Sequence, residues 1–300
     1  MSTAHDMGDL AGTPGSDAVQ SGPTALRILV GSQLRRLRES RGITREAAAY
    51  VIRGSQSKIS RMESGRTSFK PRDVADLLTL YGVTEEAERQ ALLALAKQAN
   101  AVTWWQDYRD VIPEWFEAYV GLEQDAALIR THEVQFVPGL LQTEEYARAV
   151  IAHGHHDDSA EQVERRVAVR MRRQRILTRS TTHRLWVVMD EAALHRRVGS
   201  RETMRAQLEH LGRLAELPHV TVQVIPFTSG IVGGVGPVTI LRFAQTELHD
   251  VAYVEHLIGA QYFTKEAEVL PYQKLMDELG ICAAPSTATP AIVRQIIGTL

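Results

Sequence analysis

Cysteine is almost missing from this chain. Cys282 is the single thiol in 300 residues, which excludes an internal disulfide framework and a thiolate zinc cluster. Long apolar runs are missing too: nowhere do about 18 consecutive apolar residues occur, and the N-terminal stretch lacks the basic start and apolar core of a secretory leader. A soluble, cytoplasmic protein that does not enter a membrane is the expectation. Aromatic residues make up only 6% of the chain, yet Trp104, Trp105, Tyr108, Trp115, Phe116 and Tyr119 fall close together, so a local apolar junction is expected there. Residues 1–25 have no Lys or Arg and few apolar side chains, and they read as a disordered tail.

Although the net charge is only −2, it is unevenly divided. Between Leu26 and Gly82 there are 12 Lys and Arg against 5 Asp and Glu, while residues 83–300 hold 22 basic and 28 acidic side chains. A basic module joined to an acidic remainder is the asymmetry expected when one domain faces phosphate. The length exceeds the usual ~100–150 residues of a domain, so two domains are expected, 26–100 and 101–300.

Apolar spacing and caps divide the first domain into five helices. Val30, Leu34 and Leu37 lie on one face of a helix that Gly42 ends. Thr44 caps a second helix through about Ile52, and Ser55 caps a third through Glu63, with Ile59 and Met62 facing inward. Pro71 opens a fourth helix, and Thr84 is placed to cap a fifth that runs to about Gln98. In the second domain, helices are expected at Pro113–Arg130, Thr143–Ala152, Ala160–Thr178, Arg201–Glu216, Lys265–Leu279 and Pro290–Gly298. Ser159 and Gln162 form a capping box for the third of these. Strands are expected at Arg184–Met189, Val220–Ile225, Val238–Phe243 and Val251–His256. The expected fold is therefore multidomain: an all-α five-helix domain followed by an α+β domain with a small, mostly antiparallel sheet. Gly230–Pro237 is expected to join its neighbouring strands as a hairpin loop.

The stretch TREAAAYVIRGSQSKISRMESG, residues 44–65, has what a helix-turn-helix needs. Ala48 and Ala49 are small where two helices meet, Gly54 sits in the turn, and Gln56, Ser57, Ser60 and Arg61 point outward from the second helix. This segment resembles the xenobiotic-response-element family, whose DNA-binding domain is like that of lambda-type repressors and Cro. The resemblance implies that the helix from Ser55 to Glu63 enters the major groove of double-stranded DNA. Gln56, Ser57, Ser60 and Arg61 would then contact bases, and Arg45, Ser55, Lys58 and Arg66 phosphates. It also implies an internal salt bridge between Arg38 and Glu63. Two departures stand out: Arg53 occupies the position usual for the turn glycine, with Gly54 one residue later, and Ala48 replaces a common leucine.

Residues 104–150, then RMRRQRIL (170–177), LWVVMDEAALHRRVG (185–199), VTVQVIPFTSG (220–230) and VAYVEHLIGAQYF (251–263), are similar to the domain that follows this helix-turn-helix in actinobacterial regulators of the WhiJ type. That resemblance implies a sensor, dimerisation or partner-binding role, and an antitoxin-like regulator with a small protein partner. Taken together, the expectation is a transcriptional regulator that binds a palindromic operator as a homodimer and answers to a small protein or small-molecule effector. An antitoxin-like adaptor that sequesters its partner and autoregulates is the first alternative.

The second alternative is a metal-dependent enzyme with a DNA-targeting domain, for which His153, His155, His156, Asp157 and Asp158 are the only ligand-rich cluster. Their spacing is irregular, so a polar loop is the expected reading, with no metal and no cofactor. Gly230, Gly233, Gly234 and Gly236 lack the Lys-Ser/Thr of a phosphate loop. The arginines of 165–179 are expected to pair with the acidic excess of their own domain. Asp190, Glu191 and His195 follow a strand without a nucleophile at any recognisable spacing, so no catalytic residue is expected.

Overall fold

The computed structural model describes residues 22–179, 183–230 and 236–300. Most of the expected disordered tail, residues 1–21, lies outside the described residues. Pro23–Ala25, assigned to that tail on composition, instead form the first turn of a helix, with Thr24 and Ala25 buried.

Five helices make the first unit: α1 (Pro23–Ser40), α2 (Arg45–Val51), α3 (Gln56–Glu63), α4 (Pro71–Leu80) and α5 (Glu86–Ala99). Each start has a local cause. Proline fills the first turn of α1 and α4, where its missing N–H is not needed. The hydroxyls of Thr44 and Ser55 cap α2 and α3, accepting from the N–H of Ala47 and of Lys58, both at 3.2 Å. Thr84 does not cap α5; Glu85 takes that position without a side-chain bond, so the acidic first turn, Glu86 and Glu88, favours the start through the helix dipole. Val30, Leu34, Ala48, Ile59, Met62, Val74, Leu77, Leu78 and Tyr81 close a single core. Fully burying each of its leucines contributes about 1.5–3 kcal/mol.

The second unit comprises α6 (Glu114–Asp125), β1 (Leu128–Glu133), α7 (Glu144–Gly154), α8 (Ala160–Arg173), α9 (Ile176–Arg179), β2 (Arg184–Asp190), α10 (Glu191–His195), α11 (Arg201–Leu214), β3 (Val220–Ile225), β4 (Val238–Arg242), β5 (Val251–His256), β6 (Gly259–Phe263), α12 (Glu266–Cys282) and α13 (Thr289–Thr299). The capping box at Ser159 and Gln162 is present at the start of α8. One face of the sheet packs Ile129, Val187, Met189 and Leu241 against Leu122 of α6, Tyr146 of α7, Leu208 of α11 and Val293 of α13. The other packs Val188, Ile240 and Ala252 against Val269, Met276 and Leu279 of α12.

The sheet is neither small nor simply antiparallel. Its six strands run in the order β3-β2-β1-β4-β5-β6, with β1–β2 and β2–β3 parallel and the remaining pairs antiparallel. The residues before β4 therefore do not close a hairpin with β3, because β2 and β1 lie between them. Residues 231–235 of that stretch, Gly233 and Gly234 among them, lie outside the described residues. The central strand β1 falls where the sequence suggests the end of a helix, for a physical reason. It is covered on both faces, so it shows no alternation, and it carries Arg130 and His132 into the interior. Both have partners there: Arg130 pairs with Asp277 and stacks on Trp186, and His132 Nδ1 lies 2.9 Å from the Val188 carbonyl. Desolvation holds the His132 imidazole below its usual range.

Candidate nucleic-acid interface

Helix α3 is held by one face and free on the other. Ile59 and Met62 are each 1% exposed, while Gln56, Ser57, Ser60 and Arg61 are exposed. None of these four side chains makes a hydrogen bond or ion pair among the described residues. Ala48 and Ala49 are buried where α2 meets α3, so the two helices approach closely.

In the turn between them the left-handed backbone belongs to Arg53, at φ 51°, and not to Gly54. The sequence places the turn correctly but assigns its glycine the wrong task. The Gly54 N–H closes the turn on the Ala49 carbonyl at 2.9 Å.

The end of α3 is fixed by charge. Glu63 Oε1 accepts from Arg38 Nε at 2.5 Å and Oε2 from Arg38 Nη2 at 3.0 Å, with both side chains under 10% exposed. Arg38 Nη1 also donates to the Ile43 carbonyl at 2.8 Å. These bonds keep the guanidinium charged beyond its usual range. Nearby Tyr81, wholly buried, has its phenol pushed up to about 12 by burial and by Glu63.

The four side chains suggested for phosphate contact are placed unequally. Arg45 Nε donates to Glu63 Oε2 at 3.1 Å. Lys58 Nζ lies 2.5 Å from Asp73 Oδ2 on α4, and the Ser55 hydroxyl is occupied as the cap of α3. Arg66 is exposed and has no carboxylate within 4.0 Å among the described residues. Sequence reasoning missed Arg53, another exposed cation on this side without such a partner, and Tyr50, 86% exposed at the end of α2. An arginine in the turn and a large exposed aromatic one helix turn before it were the available signals.

Several basic side chains of the second unit are engaged. On α8, Arg165 pairs with Asp110 at 2.7 Å, Arg166 with Asp158 at 2.5 Å and Arg173 with Glu123 at 2.7 Å, while Arg172 lies 4.7 Å over the Trp104 ring. The histidine-rich segment brings together only two of its rings: His153, in the last turn of α7, meets His156 edge to face at 5.4 Å, while His155 ends that helix and Asp158 is taken by Arg166. No group of three metal-ligating side chains is gathered among the described residues. Asp190 caps α10 by accepting the Ala192 N–H at 2.8 Å, and Glu191 accepts the Phe227 N–H at 2.8 Å, so both have structural tasks. Among the described residues, no helix is long and apolar enough to cross a membrane.

Residues 29–92 match a family model described as a helix-turn-helix domain, and residues 116–295 match one described as a domain of unknown function (DUF5753). No curated protein and no solved structure matches the chain. The second match spans more than half of the residues, and so the chain belongs to the DUF5753 family, with a helix-turn-helix DNA-binding domain at its N-terminal end.

Proposed function

We propose that the protein is a sequence-specific transcriptional regulator that binds a palindromic operator as a homodimer, with two copies of α3 in successive major grooves about one helical turn apart. The observation that carries this reading is the outward face of α3. Four polar side chains of the kinds that pair with base edges stand there together without a partner among the described residues, on a helix anchored from behind by Ile59 and Met62. Gln56 suits adenine and Arg61 suits guanine, each bidentate contact supplying roughly 1–3 kcal/mol of discrimination. Arg66 and Arg53 hold phosphates. Lys58, Arg45 and Ser55 add less than their charge or polarity suggests, since each has a partner within the domain.

The DUF5753 domain would dimerise and receive the signal. The resemblance to WhiJ-type, antitoxin-like regulators favours a small protein as that signal. So do Leu257 and Ile258, which are 99% and 91% exposed between β5 and β6. Selection of bound duplexes from a random library tests the reading: a two-fold motif with half-sites about 10 base pairs apart should be enriched. Failure to enrich any motif at physiological salt would contradict it.

A further inference from the structure

Helix α1 belongs to two cores at once. Ala25 is buried in the same apolar cluster as Tyr119, Leu122 and Ile129, and Ile28 and Leu29 lie against that cluster, whereas Leu26, Val30 and Leu34 belong to the core around α3. At the first turn of α1 the contact is with α6. Gly22 precedes the helix without a side chain to cap it, and the Ala25 N–H donates instead to Asp125 Oδ2 at 2.7 Å. A carboxylate 100 residues away thus satisfies one of the free N–H groups that every helix start leaves.

One helical turn earlier on α6, Gly121 lies so close to Thr24 that an added Cβ would stand 2.0 Å from its Oγ1. Farther along α1, a Cβ on Gly31 would stand 2.4 Å from the Met62 carbonyl oxygen and 2.8 Å from that of Glu63, at the end of α3. Arg38 then closes on Glu63. Helices α6, α1 and α3 therefore touch in series, the first pair through Gly121 against the Thr24 side chain and the second through Gly31 against the α3 backbone, and Thr24 is only seven residues, about 10 Å of helix, from Gly31. Interiors packed this closely transmit displacement instead of absorbing it. Among the described residues Arg27 makes no ion pair within 4.0 Å, and its Nε is buried without a partner, so beside the apolar packing of Ala25, Ile28 and Leu29 the seat rests on the cap and the glycine contact.

We propose that Asp125, Gly121 and Thr24 are positioning residues for DNA binding: they seat α1 on the DUF5753 domain and thereby fix the orientation of α3 relative to that domain. Their role in binding rests on the reading of α3 given above; the seat itself does not. A change in the second domain that moved α6 would then reach α3 through a single helix.

Spin-label distance measurement on the full chain tests this. Cys282→Ser removes the native thiol, and Glu88→Cys on α5 with Glu209→Cys on α11 places one label in each unit at an exposed site. The parent should show one narrow separation. Asp125→Ala and Gly121→Val should both broaden it, and Asp125→Asn, which keeps an acceptor oxygen, should restore it. Hydrogen exchange of the Thr24–Leu29 amides should accelerate at least tenfold in Asp125→Ala while those of Ile59 and Met62 stay slow. Affinity for a selected duplex should fall at least fivefold in Asp125→Ala, with the ranking of single-base variants of that duplex unchanged. A separation that stays narrow in both Asp125→Ala and Gly121→Val would overturn the seat. Broadening with unchanged affinity would overturn the positioning role. A parent chain with no preference among duplexes would defeat the regulator reading instead, and the separations would still decide the seat.

Discussion

Glu63 offers the sharpest test of how α3 is held. Its carboxylate is 4% exposed and receives three donors, two from the 8%-exposed Arg38 and one from Arg45. Arg45 is 41% exposed, so its share is discounted as a surface pair, to about 0.5 kcal/mol. The Arg38 share is different: in Glu63→Ala the guanidinium stays buried against the Ile43 carbonyl with only the half-exposed Glu39 carboxylate, 3.3 Å away, in place of its buried partner, and breaking such a buried pair costs roughly 3–5 kcal/mol.

Removing both partners with apolar residues of similar volume, Arg38→Met with Glu63→Leu, should recover most of that loss, because no unpaired charge remains. The measurement is native-state hydrogen exchange at Ile59 and Met62, which reports the opening free energy of α3 within the intact chain. The single Glu63 variant should lower that free energy by at least about 3 kcal/mol, Arg45→Ala by less than about 1, and the double variant by less than either Arg38 or Glu63 alone. If the effects of the two single substitutions simply added in the double, the pair would not be coupled and the reasoning would fail.

Arg53→Gly should stabilise the first unit by about 0.5–1 kcal/mol, since it removes a side chain from a left-handed position, less the entropy glycine adds to the unfolded chain; a lower denaturation midpoint for α1–α5 would refute this. The salt dependence of DNA binding should separate two cations: Arg66→Ala should reduce the slope of log K against log salt by about 1, and Lys58→Ala by clearly less, because Asp73 already neutralises it. Equal reductions would show that Lys58 leaves Asp73 for phosphate. Asp125 gives a pH signature with a definite sign. Burial pushes its carboxyl from 3.8 up to about 6, so the ionised form is the disfavoured one in the folded chain. Above about pH 6 the folded state bears the full penalty, on the order of 3 kcal/mol, and regains it as the pH falls toward 4. Thermal stability of the parent should therefore rise from about pH 7.5 to about pH 5 relative to Asp125→Asn, and parallel profiles for the two would contradict the burial of this charge.

The parts of the fold that were legible in the sequence are those with local causes. The caps at Thr44, Ser55 and Ser159, the proline opening α4, and the β-branched runs of β2 to β5 each show within a few residues, whereas the start of α1 at Pro23 was hidden in a stretch too poor in apolar residues to suggest a helix. The strand order was not legible, because parallel pairing of β1 with β2 joins residues more than fifty positions apart and the glycines before β4 mimic a hairpin turn. Strand β6 was hidden for another reason: Gly259–Phe263 is too short to show alternation and is only half-buried. At the candidate interface the exposed face of α3 follows from helical periodicity, but the commitments of Arg45 to Glu63 and of Lys58 to Asp73 span 18 and 15 residues and have no local pattern. Asp125, a hundred residues from the helix it caps, was the least accessible of all.

The central claim is that α3 reads base edges, and the most direct measurement is the selectivity of a Gln56→Ala/Arg61→Ala double variant between a selected duplex and its scrambled counterpart at physiological salt. The preference should fall by at least about tenfold, while affinity for the scrambled duplex drops only by the share of one lost cation. A double variant with undiminished selectivity would contradict the account.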